Sequence, residues 1–279
     1  MTRIDLNDWT ESGAGYFGTS YSNKTDETLL LKMLKPGFPS SMIEEEHQLA
    51  SKVHSLGIPT PRPFDLVTDG ECLGIIYQRL PDKISYARML GRHPELSDSL
   101  AEDLAALTHR LHSITCPADK FSDVKVKMRS AVLNNNFHDE YFKGKALALL
   151  ESLPDGDSCI HGDLHFGNVI LSGGSSYFID LGNFCYGHPY FDLGMTLCIM
   201  EFASLHPDAF SENYHCTPEQ GIHFMETFLK AYFGPESVLE DIVKQLRPYA
   251  AFCQISSELA MGVPFTEEEI APTTELLLG

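Results

Sequence analysis

The stretch 159–182 constrains the fold of this chain more strongly than any other part of the sequence. It consists of CIHGDLHFGN, two short apolar runs on either side of Gly173-Gly174, and IDLG. A Gly-Gly pair supplies the two positive φ angles that a tight hairpin turn requires. The sequence therefore predicts a β-hairpin that returns Asp180 to the neighbourhood of Asn168.

Side chains at the two ends of this hairpin carry hard oxygen atoms. Asn168 contributes an amide oxygen and Asp180 a carboxylate, and a second carboxylate, Asp163, lies five residues before the amide. Oxygen ligands of this kind suit Mg²⁺ that carries substrate phosphates. The arrangement indicates a phosphoryl-transfer centre.

A family resemblance rests on these residues. The spacing His-x-Asp-x-x-x-x-Asn, a hairpin and then Asp-x-Gly is similar to the catalytic and metal-binding loops of protein kinases. The His-Gly-Asp form, followed by GHPYFDLG at 187–194, resembles the aminoglycoside phosphotransferase and choline kinase family. The resemblance implies an α+β, two-lobed protein-kinase-like fold. Residues 1–79 would form a β-rich nucleotide-binding lobe with one key helix, and residues 80–279 a mainly helical lobe with the catalytic loop and the substrate site.

The resemblance also implies a role for each polar residue of these loops. Asp163 would accept the proton of the acceptor hydroxyl or orient that hydroxyl. Asn168 and Asp180 would bind Mg²⁺ against the phosphates. His161 would brace the loop, and Asp192 would hold it through hydrogen bonds to the backbone.

A glycine-rich stretch near the N-terminus, SGAGYFGTSY at 12–21, contains Gly-x-Gly-x-x-Gly at Gly13, Gly15 and Gly18. Glycines let backbone N–H groups approach phosphates closely, although a plain hairpin is the simpler interpretation. A strand-like run at 28–34 follows, instead of the helix and acidic residue of a dinucleotide-binding unit. The resemblance implies that the three glycines cover the nucleotide phosphates.

Lys32 lies inside that apolar run, where a lysine needs either a partner or an exposed strand edge. The resemblance implies that it contacts the α and β phosphates. A helix is predicted to begin with a capping box of Ser41 and Glu44 and to end at Gly57. Glu46 lies on the apolar stripe of that helix, where a carboxylate could pair with Lys32, but Glu45 also has an apolar residue at i+4. The resemblance implies that Glu46 is the partner of Lys32.

Two strands are predicted next, at 64–67 and 72–77. Gln78 and Leu80 follow the second strand. The resemblance implies that they belong to the linker between the lobes, whose backbone contacts the nucleobase.

The rest of the chain has mainly helical periodicity. The predicted helices are one through Leu100 and Leu111 with Ser97 and Ser99 as caps, one or two within 121–153, one with a capping box of Thr217 and Gln220, and two at 237–246 and 249–261.

Composition narrows the set of ligands. The formal net charge is −19, and an acidic chain disfavours nucleic acid, because affinity for a polyanion comes largely from Lys and Arg. The charge favours a cationic ligand, although it also serves solubility alone. Seven cysteines without a Cys-x-x-Cys pair predict reduced thiols. No signal-peptide segment and no run of ~20 apolar residues is found, so a cytoplasmic protein without a membrane partner is expected.

The sequence therefore predicts a Mg²⁺-dependent kinase of small molecules with ATP or GTP as co-substrate. The acceptor hydroxyl would belong to a small, cationic molecule such as an aminoglycoside-like antibiotic or an amino alcohol, while other antibiotics and sugars stay open. The short stretch between Asp180 and Asp192 leaves no room for a regulatory loop, which argues against a peptide substrate. The resemblance assigns acceptor binding to carboxylates of the helical lobe, and the candidates are Glu201, Glu258 and the run 267–269.

Two other interpretations remain open. A nucleotide-binding inactive kinase could serve as a partner-binding module, although each motif position expected to carry catalysis has a competent residue. A metal-dependent hydrolase is the other, because His161, Asp163 and His165 bring two types of metal ligand into five residues. That cluster lacks further ligands at metal-site spacing.

Overall fold

The computed structural model describes residues 1–14 and 17–279. The chain forms two compact units, the first from Met1–Ile84 with Ile170–Gly182 and the second from Ser85–Val169 with Asn183–Gly279. The segment that contains the predicted hairpin therefore packs with the first unit, although the sequence on both sides of it belongs to the second.

A six-stranded sheet forms the body of the first unit. Its strands are β1 (Thr2–Arg3), β2 (Trp9–Ala14), β3 (Gly18–Asn23), β4 (Leu29–Leu34), β5 (Pro63–Thr68) and β6 (Leu73–Gln78), in the spatial order β1-β5-β6-β4-β3-β2. The strands predicted at 28–34, 64–67 and 72–77 are confirmed. Because β4 lies between β3 and β6, Lys32 is not on an edge strand, and the interpretation of Lys32 as an exposed edge residue is wrong.

Alternation along β4 places its side chains on two different faces. One face carries a buried cluster of Trp9, Leu31, Met33 and Val67. On the other face, Leu34 packs against Ile75 of β6 and Ile43 of the single helix of this unit, α1 (Ser40–Ser55). Lys32, two residues before Leu34, therefore faces α1.

The two ends of α1 differ in how well the sequence predicts them. The N-cap is Pro39 and no side chain caps the helix, so the predicted capping box of Ser41 and Glu44 is wrong. Ser41 already lies in the first helical turn, where its backbone is helical and its side chain cannot act as a cap. The C-terminal end is as predicted, with Gly57 at φ +78° directly after the C-cap Leu56.

Five short strands complete the β structure. They are β7 (Ile84–Ser85), β8 (Ser158–Ile160), β9 (Val169–Ser172), β10 (Ser175–Phe178) and β11 (Cys185–Gly187). β9 pairs with β10 and β7, and Gly173 and Gly174 have φ of 55° and 76°, so the predicted hairpin and its two positive φ angles are confirmed. The Ser172 hydroxyl donates to the Pro81 carbonyl at 2.6 Å, which fixes the hairpin within the first unit.

The second unit is helical. Its helices are α2 (Tyr86–Arg92), α3 (Ser97–His112), α4 (Val124–Asn134), α5 (Glu140–Ser152), α6 (Tyr190–Leu205), α7 (Pro207–Tyr214), α8 (Pro218–Phe233), α9 (Leu239–Met261) and α10 (Glu267–Leu278). The capping box of Thr217 and Gln220 at the start of α8 is confirmed. Among the described residues, no helix combines the length and the apolar character needed to cross a bilayer.

Two helix predictions in this unit need correction. Ser97 and Ser99 do not cap α3, because the helix already begins at Ser97 and its N-cap is Leu96. The two helices predicted at 237–246 and 249–261 are one helix, α9, which continues through Pro248. Leu246 and Ala250, on either side of this proline, are fully buried, and such packing outweighs the cost of one missing backbone hydrogen bond.

α6 and α9 pack closely because a glycine lies at their contact. A Cβ added to Gly194 of α6 would lie 2.8 Å from the backbone nitrogen of Ala250 and 2.8 Å from the carbonyl carbon of Tyr249, both in α9. A backbone atom cannot give way as a flexible side chain can. The contact therefore requires glycine.

Replacing Gly194 with alanine should lower the free energy of unfolding by about 1–3 kcal/mol, because the new methyl group forces α6 and α9 apart. Gly144, in α5, is the matched control, since a Cβ there meets no atom within 4 Å. Gly144→Ala should raise the free energy of unfolding by about 0.5–1 kcal/mol through helix propensity alone. Urea unfolding of both variants measures the difference, and equal effects would contradict the close packing.

Candidate active site

Asp192 of α6 holds the loop that follows β8. Its buried carboxylate accepts hydrogen bonds from the backbone N–H groups of His161 and Gly162, both at 2.7 Å. The His112 ring nitrogen Nε2 lies 3.1 Å from the same carboxylate. A buried carboxylate needs such donors, and the predicted backbone hydrogen bonds of Asp192 are confirmed.

Gly162 permits the tight path of this loop. Its φ is +79°, and an added Cβ would collide with the carbonyl group of Asn183. A residue with a side chain would be strained by the positive φ and blocked by this contact. The glycine between His161 and Asp163 is therefore a requirement of the loop geometry.

Asp163 and Asn168 contact one another directly. The Asn168 amide nitrogen donates to the Asp163 backbone carbonyl and to Asp163 Oδ2, both at 3.0 Å. The His165 nitrogen Nε2 lies 3.8 Å from the other oxygen, Oδ1. The Asp163 side chain keeps 31% of its surface exposed, so the carboxylate is partly accessible to a ligand.

An aromatic residue of α7 lies beside this carboxylate. The ring of Tyr214 stands edge-on to His165, with ring centroids 5.5 Å apart, and tilts against Phe166 at 5.0 Å. Burial raises the pKa of the Tyr214 phenol, and the negative charge of Asp163 raises it further. The hydroxyl therefore keeps its proton and forms part of the surroundings of Asp163.

Asn168 and Asp180 have features that suit a divalent cation. Both contacts of the buried Asn168 side chain to Asp163 are made by its nitrogen, which leaves the amide oxygen as a ligand. Asp180 is exposed and has φ +57°, a left-handed conformation that non-glycine residues rarely adopt. Asn168 directly precedes β9, and Asp180 follows β10 by two residues.

A second polar cluster lies within the first unit. Lys32 Nζ of β4 is 2.8 Å from Glu46 Oε1 and 2.7 Å from Oε2, so the predicted pairing of Lys32 with Glu46 is confirmed. The Tyr77 hydroxyl of β6 donates to Glu46 Oε1 at 2.9 Å. Burial raises the pKa of Tyr77, and the charge of Glu46 adds to that effect.

The described residues of the glycine-rich stretch lie at the end of β2 and the beginning of β3. Gly13 belongs to β2, next to an irregularity in its pairing with β3, and Gly18 is the first residue of β3. A Cβ on Gly18 would lie 2.8 Å from the carbonyl oxygen of Met33, so this glycine is needed for the close approach of β3 to β4. Gly15 lies outside the described residues.

The predicted linker residues follow β6 directly. Gln78 is the last residue of the strand, and its backbone N–H donates to the Arg62 carbonyl at 2.8 Å. The next backbone N–H, of Arg79, donates to the Thr28 carbonyl at 2.7 Å. Leu80 is buried. These contacts order the backbone at the end of the sheet, whereas a role in base recognition stays a prediction.

Among the candidate acceptor carboxylates, Glu258 is occupied by the protein itself. Its side chain is 1% exposed and accepts hydrogen bonds from His138 Nε2 at 2.6 Å, the Phe265 N–H at 2.8 Å and the Asn135 amide at 3.1 Å. These contacts connect α9 to the segments before α5 and α10. Glu258 is therefore a structural carboxylate, and its assignment to acceptor binding needs correction.

Glu201 and the acidic run 267–269 are more accessible. Glu201 of α6 forms an ion pair with Arg247 and accepts from the Gln254 amide at 3.0 Å, with 22% of its side chain exposed. The run 267–269 forms the first turn of α10, where acidic residues complement the helix dipole. Glu201 and the run 267–269 therefore each have a structural role.

No group of three or more His, Cys, Asp or Glu residues within 1–14 and 17–279 is arranged to hold a metal ion. The hydrolase interpretation needs His161, Asp163 and His165 to form such a group. His161 is fully buried under the loop, whereas Asp163 is partly exposed. The arrangement favours a loop braced from inside over a metal centre made of these three side chains.

Sequence reasoning missed three residues that contact the predicted site. The Tyr77 hydroxyl binds Glu46, and the His112 ring binds Asp192. The third residue, Tyr214, lies beside Asp163. His112 is buried in the second unit. The pairings depend on strand register and on contacts between helices distant in sequence, for which a single sequence has no signal.

Comparison with known proteins identifies the family of this chain. The family model of the phosphotransferase enzyme family, APH, matches residues 9–240, which is most of the chain. The chain belongs to this family. The match includes the Lys32 strand, the loop with Asp163 and the helix with Asp192. A comparison with curated protein sequences found no match.

Solved structures of similar fold include three kinases. Aminoglycoside phosphotransferase APH(2'')-Ib, ADP-bound, is 18% identical over 98% of this chain and 93% of its own, with a TM-score of 0.60. A choline/ethanolamine kinase family protein from Mesorhizobium loti is 15% identical over 97% and 85%, with a TM-score of 0.55. Amicoumacin kinase hAmiN, in complex with AMP-PNP, Ca²⁺ and Ami, is 14% identical over 99% and 89%, with a TM-score of 0.56. The predicted α+β kinase-like fold is confirmed.

The stability of this family member should depend on pH through Glu258. Burial raises the pKa of Glu258, but hydrogen bonds from His138, Phe265 and Asn135 outweigh burial and lower it. A carboxyl whose folded-state pKa lies below its unfolded value of about 4.3 stabilises the fold above that pH and loses this contribution as pH falls. Glu258→Gln should therefore cost about 2 kcal/mol at pH 7 and progressively less below about pH 4.

Chemical denaturation between pH 7 and pH 3 measures this difference. Glu275→Gln serves as the control, because Glu275 is an exposed residue of α10. A cost of Glu258→Gln that stays constant over the whole pH range would contradict the assignment.

Proposed function

We propose that this phosphotransferase family member transfers the γ-phosphoryl group of a nucleoside triphosphate to a hydroxyl group of a small, cationic acceptor. The observation that supports the proposal most directly is the loop that Asp192 holds through two backbone hydrogen bonds at 2.7 Å. This loop presents Asp163 Oδ1 while Asn168 binds Oδ2 at 3.0 Å. Phosphoryl transfer requires positioning and charge neutralisation more than covalent chemistry.

In this proposal Asp163 Oδ1 receives the proton of the acceptor hydroxyl as the new O–P bond forms. Oδ1 suits this task because the Asn168 amide occupies only the other oxygen. A base within hydrogen-bond reach of the reacting hydroxyl contributes roughly 10²–10⁴-fold to rate. His161 and Asp192 have no contact with substrate in this scheme and keep the loop in place.

Asn168 and Asp180 are the proposed ligands of Mg²⁺. The amide oxygen of Asn168 and the exposed carboxylate of Asp180 are hard donors of the type this ion prefers. The ion would neutralise negative charge on the phosphates. The amicoumacin kinase structure was obtained with AMP-PNP and Ca²⁺, which supports a divalent cation together with nucleotide in this fold.

The nucleotide phosphates are proposed to bind Lys32, which Glu46 holds in position, and Gly13, Gly15 and Gly18 are proposed to contact the same phosphates. Gln78 and Leu80 are proposed to contact the base. A lysine on a central strand paired with a helical glutamate is a common means of holding nucleotide phosphates in kinases. Comparison of ADP release from Mg-ATP with GDP release from Mg-GTP distinguishes the two co-substrates.

Charge supports a cationic acceptor. The net charge of −19 attracts cations through the field of the whole protein. Tyr214 and Asp163 together offer an aromatic ring and a carboxylate, groups that both interact favourably with an ammonium group. Relatives of the same fold include kinases named for aminoglycosides and for choline or ethanolamine. Amino alcohols and aminoglycoside-like antibiotics are therefore the first acceptors to test.

Asp163→Asn should reduce turnover by at least about 10²-fold, because an amide cannot accept the proton. The asparagine oxygen can still accept from Asn168, so the loop should stay folded and nucleotide affinity should change less than about twofold. The measurement is ADP release from Mg-ATP and GDP release from Mg-GTP across aminoglycosides, amino alcohols and sugars. Asp157→Asn, at an exposed carboxylate just before β8, is the matched control.

Turnover by the wild type and by Asp157→Asn, but not by Asp163→Asn, would establish the activity and identify the acceptor class. Wild-type rates in Asp163→Asn would show that the assigned base is wrong. Nucleotide binding without turnover on any acceptor would favour the inactive, partner-binding alternative.

A further inference from the structure

Tyr77 meets the Lys32–Glu46 pair from a third element of the first unit. Glu46 Oε1 receives both the Tyr77 hydroxyl at 2.9 Å and the Lys32 ammonium group at 2.8 Å. Glu46 Oε2 binds the same ammonium at 2.7 Å. The carboxylate is therefore held at two points, one on β6 and one on β4.

The strand register explains why this contact forms. Lys32 is paired with Ile75, and Leu30 with Tyr77. Residues paired directly across two strands lie on the same face of a sheet, so Tyr77 and Lys32 share the face that α1 covers. A tyrosine two residues from the partner of Lys32 is long enough to reach the carboxylate that α1 presents.

The chemistry of the contact has a fixed direction. Burial raises the pKa of Tyr77, and the Glu46 charge raises it further, so the hydroxyl keeps its proton at neutral pH. The carboxylate can only accept, and the tyrosine therefore donates. A phenylalanine would fill the same apolar space without needing a partner, which makes the hydroxyl the informative part of the residue.

The ion pair alone is poorly suited to fix the lysine. The side chains of Lys32 and Glu46 are 37% and 36% exposed. Exposed pairs stabilise a protein only weakly, because ordering two long side chains opposes the attraction. The partly buried Tyr77 donor orders the glutamate in advance, and the lysine then meets a carboxylate already in place.

We propose that Tyr77 is a positioning residue for Lys32, acting through the Glu46 carboxylate. This inference rests on the proposed function, in which Lys32 binds nucleotide phosphates. Tyr77 lies outside the sequence motifs that carry the family resemblance. Without the hydroxyl, Glu46 samples other rotamers and the ammonium group spends less time in the phosphate-binding position.

Tyr77→Phe should weaken binding of Mg-ADP or Mg-GDP about tenfold, which corresponds to about 1.4 kcal/mol. The same loss should appear in the KM for the triphosphate, with kcat changed much less. Tyr21→Phe is the matched control, because Tyr21 pairs with Leu31 and lies on the opposite face of the sheet. It should bind nucleotide as the wild type does. Isothermal titration calorimetry gives the affinities, and urea unfolding verifies that each variant is folded.

A double-mutant cycle separates positioning from general packing. In a Glu46→Ala background, Tyr77→Phe should have no further effect on nucleotide affinity, because the group it positions is gone. Wild-type affinity in the single Tyr77→Phe variant would overturn the proposal. A tenfold loss that persists in the Glu46→Ala background would overturn it as well, since the hydroxyl would then act by another route.

A measurement without nucleotide distinguishes failure of this inference from failure of the proposed function. If the wild type binds neither Mg-ADP nor Mg-GDP, the proposed function is wrong, and acetylation of Lys32 by an amine-reactive ester, followed by mass spectrometry, decides the positioning role. In the Tyr77→Phe variant, the rate of Lys32 acetylation should be several-fold higher than in the wild type or in Tyr21→Phe. Exposed Lys24 is the internal reference. Equal rates at Lys32 in all three proteins would overturn the proposal.

Discussion

The buried carboxylate of Asp192 is the interaction on which the candidate active site depends. Two backbone N–H groups of the loop and the ring of His112 converge on it, and each would be costly to bury alone. The carboxylate accepts hydrogen bonds from N–H groups of the loop, and these N–H groups offset the cost of burying the carboxylate. Asp163 and Asn168 owe their relative position to this exchange, because both follow the anchored residues within a few positions.

A carboxylate also positions a functional candidate in the first unit, where the group that it holds is a cation. There a carboxylate on α1 holds a lysine on a central strand, and the hydroxyl of a neighbouring strand holds the carboxylate. In both units a group proposed to bind substrate or nucleotide is placed by a carboxylate that has its own fixed partners. Lys32 and Asp163 are partly exposed, whereas the carboxylate of Asp192 is buried.

Sequence reasoning reached the elements whose signals are local. The Gly173-Gly174 turn, the strand around Lys32 and the Thr217 capping box each follow from a few adjacent residues. It failed where distant packing decided the outcome, as in α9, which stays helical through Pro248 because its surroundings are buried. The site shows the same division, since the HGD and Asn spacing is visible in sequence, whereas the hydroxyl of Tyr77 depends on strand register. Glu258 lies on an apolar stripe, and only the structure identifies the three donors that occupy it.

The separation in sequence between the loop and its anchor has a consequence for folding. The bonds to Asp192 bridge 31 residues from His161 and 80 residues from His112. Contacts of such range form late, since the entropy of closing the intervening chain must be overcome first. During synthesis, a nascent chain that has not yet reached α6 contains the complete HGD motif without the hydrogen bonds that shape it. The loop therefore depends on α6 for the hydrogen bonds that shape it.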